Sequence, residues 1–424
     1  MHERIVEKNG LRIIIWPMRE TKAVSIFVLV GVGSRYETRE NMGISHFLEH
    51  MLFKGTERRP DSLAIASTID NVGGSFNGFI GKEFTGFYVK VASKYLPLGI
   101  DLLTDIICHS KLDEEEIERE RRVILEEINS VEDAPDEYIS KLYFSLLYGD
   151  HPLGWDITET RERVKKINRE DFLRFWRRYY TPDNLVISVA GRVNPEKAVS
   201  LIKNSLGGIK GKKKSGPLKV KENQAKPASK VCRREIDQTH LCLGVRTFIH
   251  TRHKDRYALR LLNTILGENS SSRLFIKLRE KLGLAYAIDS GYETFSDTGT
   301  LLAQAAVDLR NVKKFIKAVL DEFKRLREEL VSREELARAK NYSAGKITLA
   351  LENSSGIAYS LGKQELLLGR IETPEEIIRK IKKVTRKDIR RVAAHIFQQR
   401  NLNLVLLGPL REGSYPDFDK LLKI

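Results

Sequence analysis

Apolar residues recur along this chain with two different periods. The runs VSIFVLVGVG at 24–33 and EFTGFYVKVAS at 83–93 are continuous or alternate by two, which predicts strands buried on one or both faces of a sheet. The run NVKKFIKAVLDEFKRLREEL at 311–330 instead sets Val312, Phe315, Ile316, Val319, Leu320 and Phe323 on one helical stripe. Strands alternate with long helices, often in pairs, which predicts α+β layers rather than a singly alternating βα order. Each half of the chain is expected to be a helix-backed, largely antiparallel sheet.

The halves resemble each other. VKKINREDFLRFWRRYYTPDNLVISVAG at 164–191 aligns without gaps on IKKVTRKDIRRVAAHIFQQRNLNLVLLG at 381–408, with eight of 28 positions identical. Asp171 matches Asp388, Asn184 matches Asn401, and Gly191 matches Gly408. In each copy an amphipathic helix leads through a short turn into an apolar strand, the mark of an internal duplication. A lysine-rich stretch with no hydrophobic periodicity separates the copies and reads as a linker at 207–230. The expected division is therefore an N-terminal half at 1–206 and a C-terminal half at 231–424.

With 424 residues, 41% of them hydrophobic, the chain can bury more than one core. Cys108, Cys232 and Cys242 have no paired spacing, so neither a disulfide framework nor a cysteine-built zinc site is predicted, and the reducing cytoplasm is the expected compartment. The start of the chain, MHERIVEKNGLRIIIWP, lacks the long apolar core of a signal peptide. The apolar run at 24–33 is too short to span a bilayer. A net charge of +16 raises nucleic acid as a partner, but the lysines and arginines are interleaved with 57 acidic residues and have little aromatic interleaving. Neither nucleic acid nor a membrane is expected as a partner.

The apolar stretch GISHFLEHMLFKGT contains three polar side chains that need a reason to be there. On a helix over 44–53, His46 and His50 stand one turn apart on the same face, a spacing that suits two ligands of one metal. Glu49, beside them, can reach a water on that metal. The alternative is that both histidines are hydrogen-bonded core residues. Two imidazoles leave a zinc site short of a third ligand, and a carboxylate is the expected donor. In KLDEEEIERERRVILEEINSVED at 111–133, Ile117, Ile124 and Ile128 define an inward stripe. Glu120 and Glu127 fall near that stripe, and Glu126 points away. Glu127 is read as the ligand and Glu120 as its neighbour behind the metal.

HFLEH followed by ERERRVILEEI resembles the inverted zinc motif of the pitrilysin-type metallopeptidases, the group that includes insulin-degrading enzyme and the mitochondrial processing peptidase. The likeness is nearest to the processing-peptidase-like bacterial and archaeal members. It implies a two-halved α+β fold, one zinc per chain held by His46, His50 and Glu127, and Glu49 as the base of a metalloendopeptidase. Further matches are implied by the same likeness. GGSFNGFIGKEFTGFYVKV at 73–91 is similar to the family's substrate-binding edge strand, with Asn77 and Gly78 beside the scissile peptide. In SSRLFIKLREKLGLAYAIDSG, Arg279 and Tyr286 match the pair that contacts substrate near the zinc. The second half has no HxxEH of its own. Because both half-sites occur in one chain, a homodimer enclosing a chamber for peptides or unfolded segments is expected. A non-catalytic assembly subunit is the competing role, and it would be expected to have lost part of this set. A basic nucleic-acid-binding protein would need a clustered patch.

Overall fold

The computed structural model describes residues 2–155, 157–206, 210–212, 215–410 and 418–424. Among the described residues two sheets form, each with its own helices, and they belong to two compact units.

The first sheet contains β1 (Glu3–Val6), β2 (Arg12–Pro17), β3 (Ala23–Val30), β4 (Ser75–Ile80), β5 (Thr85–Ala92) and β6 (Leu185–Gly191) in the order β1-β2-β6-β3-β5-β4. Its pairs are antiparallel except β2 with β6. Both expected strands are present: 24–33 supplies β3, buried along nearly its whole length, and 83–93 supplies β5. The second sheet contains β7 (Ala228–Arg233), β8 (Thr239–Thr247), β9 (Ala285–Thr294), β10 (Gly299–Val307) and β11 (Leu402–Gly408) in the order β7-β11-β8-β10-β9. Again one pair is parallel, β7 with β11. Setting β1 aside, the two orders superpose strand for strand, as a duplication requires.

The matched residues do the same local work in both copies. Asp171 closes a capping box with Asn168, and Asp388 closes one with Thr385, which satisfies the orphan amides of each helix start. Asn184 donates its side-chain amide to the Tyr179 carbonyl at 2.8 Å, and Asn401 donates to the Ile396 carbonyl at 3.2 Å. The turn between helix and strand is therefore held by the same asparagine five residues after the accepting carbonyl.

The compact units cross the boundaries read from the sequence. The first comprises 1–128, 157–218 and 349–372, and the second 129–156, 219–348 and 373–424. The helix Ser354–Leu368 buries Ile357, Ala358 and Leu361 against Ile14, Phe27, Leu29 and Val186 of the first sheet. The helix Pro135–Tyr148 buries Ile139, Leu142 and Tyr143 with Cys242, Val405 and Leu407 of the second. Each leucine, isoleucine, valine and phenylalanine among them contributes up to about 1.5–3 kcal/mol by leaving water, and nothing in an amphipathic stripe specifies which sheet receives it. The linker reading also shortens at its end. Ala228–Lys230 begin β7, because pairing with β11 orders a segment that has no apolar period. The linker residues 207–209 and 213–214 lie outside the described residues. Among the described residues no helix is long and apolar enough to cross a membrane.

Candidate metal centre

Four helices are labelled in chain order: α1 (Ile44–Met51), α2 (Ser62–Asp70), α3 (Leu96–Cys108) and α4 (Glu114–Asp133), the last with its residues to Ile128 in the first unit. Helix α1 starts on Gly43, whose φ of 90° lies in the left-handed region that glycine adopts at least cost. No side chain of the capping position closes this start. The buried Glu37 does so from outside, accepting from the Gly43 and Ser45 amides at 2.8 and 2.9 Å. A carboxylate at a helix N-terminus satisfies orphan amides and complements the helix dipole. Ile44, Phe47, Leu48 and Met51 are buried, which fixes the rotation of α1 and turns His46 and His50 toward α4.

On α4 the buried positions are Ile117, Glu120, Ile124 and Ile128. That stripe aims Glu120 and Glu127 at α1. The Nε2 atoms of His46 and His50 lie 3.2 Å apart, and the Glu127 carboxylate oxygens lie 3.5 Å from the first and 3.6 Å from the second. Donors held about 2.0–2.1 Å from a tetrahedral zinc stand about 3.3 Å from one another. The triangle therefore has the size that one zinc ion requires. Glu49 is also near, its Oε2 3.9 Å from His50 Nε2, and one donor atom each from His46, Glu49 and His50 lie within 4.8 Å of one another. Two carboxylates thus border the same space. Glu127 reaches both imidazoles at the shorter distances, so it fits the third ligand position and leaves Glu49 beside it.

Behind the triangle, Glu120 Oε1 lies 2.8 Å from His50 Nδ1, and Glu120 Oε2 lies 2.5 Å from Lys54 Nζ. A proton on Nδ1 donated to Glu120 leaves the Nε2 lone pair directed at the triangle, the tautomer a metal ligand needs. Burial works to raise the Glu120 carboxyl, but hydrogen bonds from His50 and Lys54 outweigh it and hold the group below the usual carboxylate range. Lys54 is a residue the sequence reading missed. It sits four residues after His50, in the turn that follows the end of α1 at Met51. Glu37 had no such local signal, since its partners depend on how the preceding loop folds back.

Glu49 is buried, and its carboxyl is raised above the ordinary range. Burial is the main cause, opposed by His50 and reinforced by the negative charges of Glu127 and Glu120. A carboxyl raised this way is a better proton acceptor near neutral pH. It rests against β4, an edge strand of the sheet that pairs with β5. A Cβ added at Gly78 would come within 2.1 Å of Glu49 Oε1, so any side chain there requires Glu49 to move. The neighbouring Asn77 is exposed and accepts from the Gly78 amide at 2.9 Å.

His46, Glu49, His50, Glu120, Glu127 and Gly78 are therefore brought together within the first unit. Arg279 and Tyr286 belong to the second unit. They are neighbours there: the Arg279 guanidinium lies 4.9 Å from the centre of the Tyr286 ring, and it lies equally close to the Phe275 ring. Tyr286 is 82% exposed, which makes it available to a ligand or another chain. Arg279 is carried on a π-helical turn, Phe275–Lys281.

Comparison with known proteins identifies the family and the fold. The family profile described as insulinase, peptidase family M16, matches residues 13–161, and the profile described as peptidase M16 inactive domain matches 166–343. An uncharacterized zinc protease of Bacillus subtilis is 34% identical over 416 residues, spanning 98% of this chain and all of that protein. An uncharacterized zinc protease of Rickettsia felis is 36% identical over 402 residues, spanning 95% of this chain and 96% of the relative. The crystal structure of a protease from Helicobacter pylori superposes with a TM-score of 0.89 at 25% identity, over 96% of this chain and 99% of that one. A peptidase M16 inactive domain from Pseudomonas fluorescens has the same fold, with a TM-score of 0.89 at 19% identity over 97% and 98% of the two chains. Two profile matches and relatives aligned along nearly the whole chain, together with the histidine–carboxylate cluster between α1 and α4, make this protein a member of peptidase family M16.

Proposed function

We propose that this chain is a zinc-dependent metalloendopeptidase acting on peptides or unfolded polypeptide segments. The observation that carries the reading is the triangle of His46, His50 and Glu127 donors with the raised carboxyl of Glu49 beside it. These three residues would hold a zinc ion, which would supply Lewis acidity toward the scissile carbonyl and a water.

The remaining steps belong to the protein's own groups. An extended substrate adds to the open edge of β4 through main-chain hydrogen bonds, which gives grip with little sequence selectivity. Glu49 takes the proton of the attacking water and returns it to the leaving amine. His50 is held in its ligand tautomer by Glu120, itself anchored by Lys54. Arg279 and Tyr286 hold the substrate and stabilise the developing oxyanion. Two copies of the chain form a homodimer around a chamber, each lending Arg279 and Tyr286 to the other's zinc site. The profile described as an inactive domain begins at residue 166, beyond all three donors, so its description carries no argument against catalysis by the first unit.

The test combines metal analysis with a quenched-peptide assay. Chelation should abolish cleavage and zinc should restore it. Glu49→Gln should keep the metal and lose nearly all turnover, because only the proton acceptor is gone. Full activity in that variant would refute the mechanism.

A further inference from the structure

The second unit contains a basic cavity that takes no part in the chemistry above. It lies between the π-helical turn Phe275–Lys281 and the helices Val312–Glu328 and Arg333–Ala350. Its volume is about 450 Å³, within the range of small-molecule sites.

The floor and the rim of this cavity are built differently. On the floor, Glu322 is buried and Glu335 half-buried, and both are already committed to cations. Arg273 grips Glu335 at 2.7 and 3.0 Å, and Lys277 pairs with Glu322 at 3.0 Å. The buried hydroxyl of Ser272 lacks a hydrogen-bond partner among the described residues, while the Nη1 atom of Arg273 faces the Glu322 carboxylate at 3.6 Å. Arg325, Lys281 and Arg338 stand exposed at the rim. Arg325 shares Glu322 at 3.3 Å and also pairs with Glu329 at 3.4 Å, whereas Lys281 and Arg338 make no ion pair among the described residues. Five cations and two carboxylates line one opening, and with Asp321 3.8 Å from Lys277 and Glu329 3.4 Å from Arg325 just outside it, the cations left without an ion pair among the described residues are Lys281 and Arg338.

We infer that this cavity binds a small ligand bearing two or more phosphate groups. The cations come from three different segments of chain and face one space, so they surround an anion rather than grip one edge of it. A single planar carboxylate is satisfied by one arginine fork, while phosphate oxygens point outward in several directions and meet donors on several sides. Lys277 and Lys281 also lie on the turn that carries Arg279, so an anion held there braces that turn from its other face. Backbone bonds at the end of this turn are already irregular, with the Leu282 amide donating to the Lys277 carbonyl five residues back. Such turns sit frequently at functional sites.

The experiment uses the full chain with its metal and inorganic pyrophosphate as the probe, followed by titration calorimetry. Inorganic phosphate, citrate, adenosine diphosphate and adenosine are run beside it. Pyrophosphate should bind saturably, with citrate and inorganic phosphate weaker. An affinity for adenosine diphosphate matching that of pyrophosphate would assign recognition to the phosphates alone, and a much higher one would add the nucleoside to the same proposal. K281A/R338A removes two exposed cations that hold no ion pair among the described residues, and should weaken pyrophosphate about tenfold or more. Metal chelation by pyrophosphate would survive in that variant and is thereby separated. K313A/K314A changes the net charge equally on exposed positions that do not line the cavity, and should leave binding unchanged. Hydrogen exchange in segment 273–284 should slow when pyrophosphate is added to wild type. The proposal fails if no saturable binding occurs, if K281A/R338A binds as tightly as wild type, if K313A/K314A weakens binding as much, or if citrate binds as well as pyrophosphate.

Discussion

Replacing Glu120 by glutamine tests how the zinc ligands are supported without touching a ligand. The substitution keeps the volume of a buried side chain and removes the charge facing His50 Nδ1 at 2.8 Å and Lys54 Nζ at 2.5 Å. Hydrogen bonds to charged groups contribute about 1.5–3 kcal/mol and neutral ones about 0.5–1.5, so each contact weakens by roughly 1–2 kcal/mol. Only the His50 contact leads to the metal. Losing such a partner lowers metal affinity about 10- to 100-fold, which corresponds to roughly 1.4–2.7 kcal/mol. The assay is zinc competition against a chromophoric chelator, with circular dichroism to show that each variant is folded. Glu126→Gln, on the exposed side of α4, should match wild type. Glu120→Gln should lose about tenfold or more, and Glu127→Gln should lose most. Wild-type affinity in Glu120→Gln, or a loss as large as that of Glu127→Gln, would show that Glu120 does not support His50 in the way the 2.8 Å contact implies.

Other variants probe different contacts. Gly78→Val places a branched side chain where even a Cβ would reach Glu49 Oε1 at 2.1 Å; kcat should fall roughly a hundredfold, the scale of a misplaced base, with zinc content preserved, and retained kcat would contradict the packing. Asp105, on α3, anchors the loop after α1 by accepting from Thr56 at 2.7 Å, from Arg58 at 3.2 Å and from Arg59. Burial works to raise its carboxyl, but these partners outweigh it and depress it below 3.8. The stability it contributes is therefore fully present above that value and lost as pH falls through the depressed one. Asp105→Asn should cost about 1–3 kcal/mol at neutral pH and flatten the acid limb of stability against pH; an unchanged limb in denaturant titrations would count against this. Mixing Glu49→Gln with Arg279→Ala/Tyr286→Phe, each inactive alone, should restore about half of wild-type activity per mixed dimer if sites are shared between copies and act independently. No recovery despite proven subunit exchange would confine Arg279 and Tyr286 to their own chain.

Much of this protein follows from short-range regularities that a sequence carries openly. An i,i+4 spacing put His46 and His50 on one helix face, and the stripe of Ile117, Ile124 and Ile128 turned Glu120 and Glu127 the same way. Duplicated residues such as Asn184 and Asn401 announced matching turns because each bonds within five residues of itself. What depends on partners far along the chain was hidden. The helices Pro135–Tyr148 and Ser354–Leu368 group with sheets on the far side of the expected boundary, since an apolar stripe states that a helix is covered but not by what. Gly78 read only as a substrate-side residue, and its close packing against Glu49 carried no local signal. Glu37 became the cap of α1 only when the loop before it closed. Periodicity determines which way a side chain faces on its own element. Only the tertiary structure decides what it meets there, because that depends on long-range packing that no local pattern encodes.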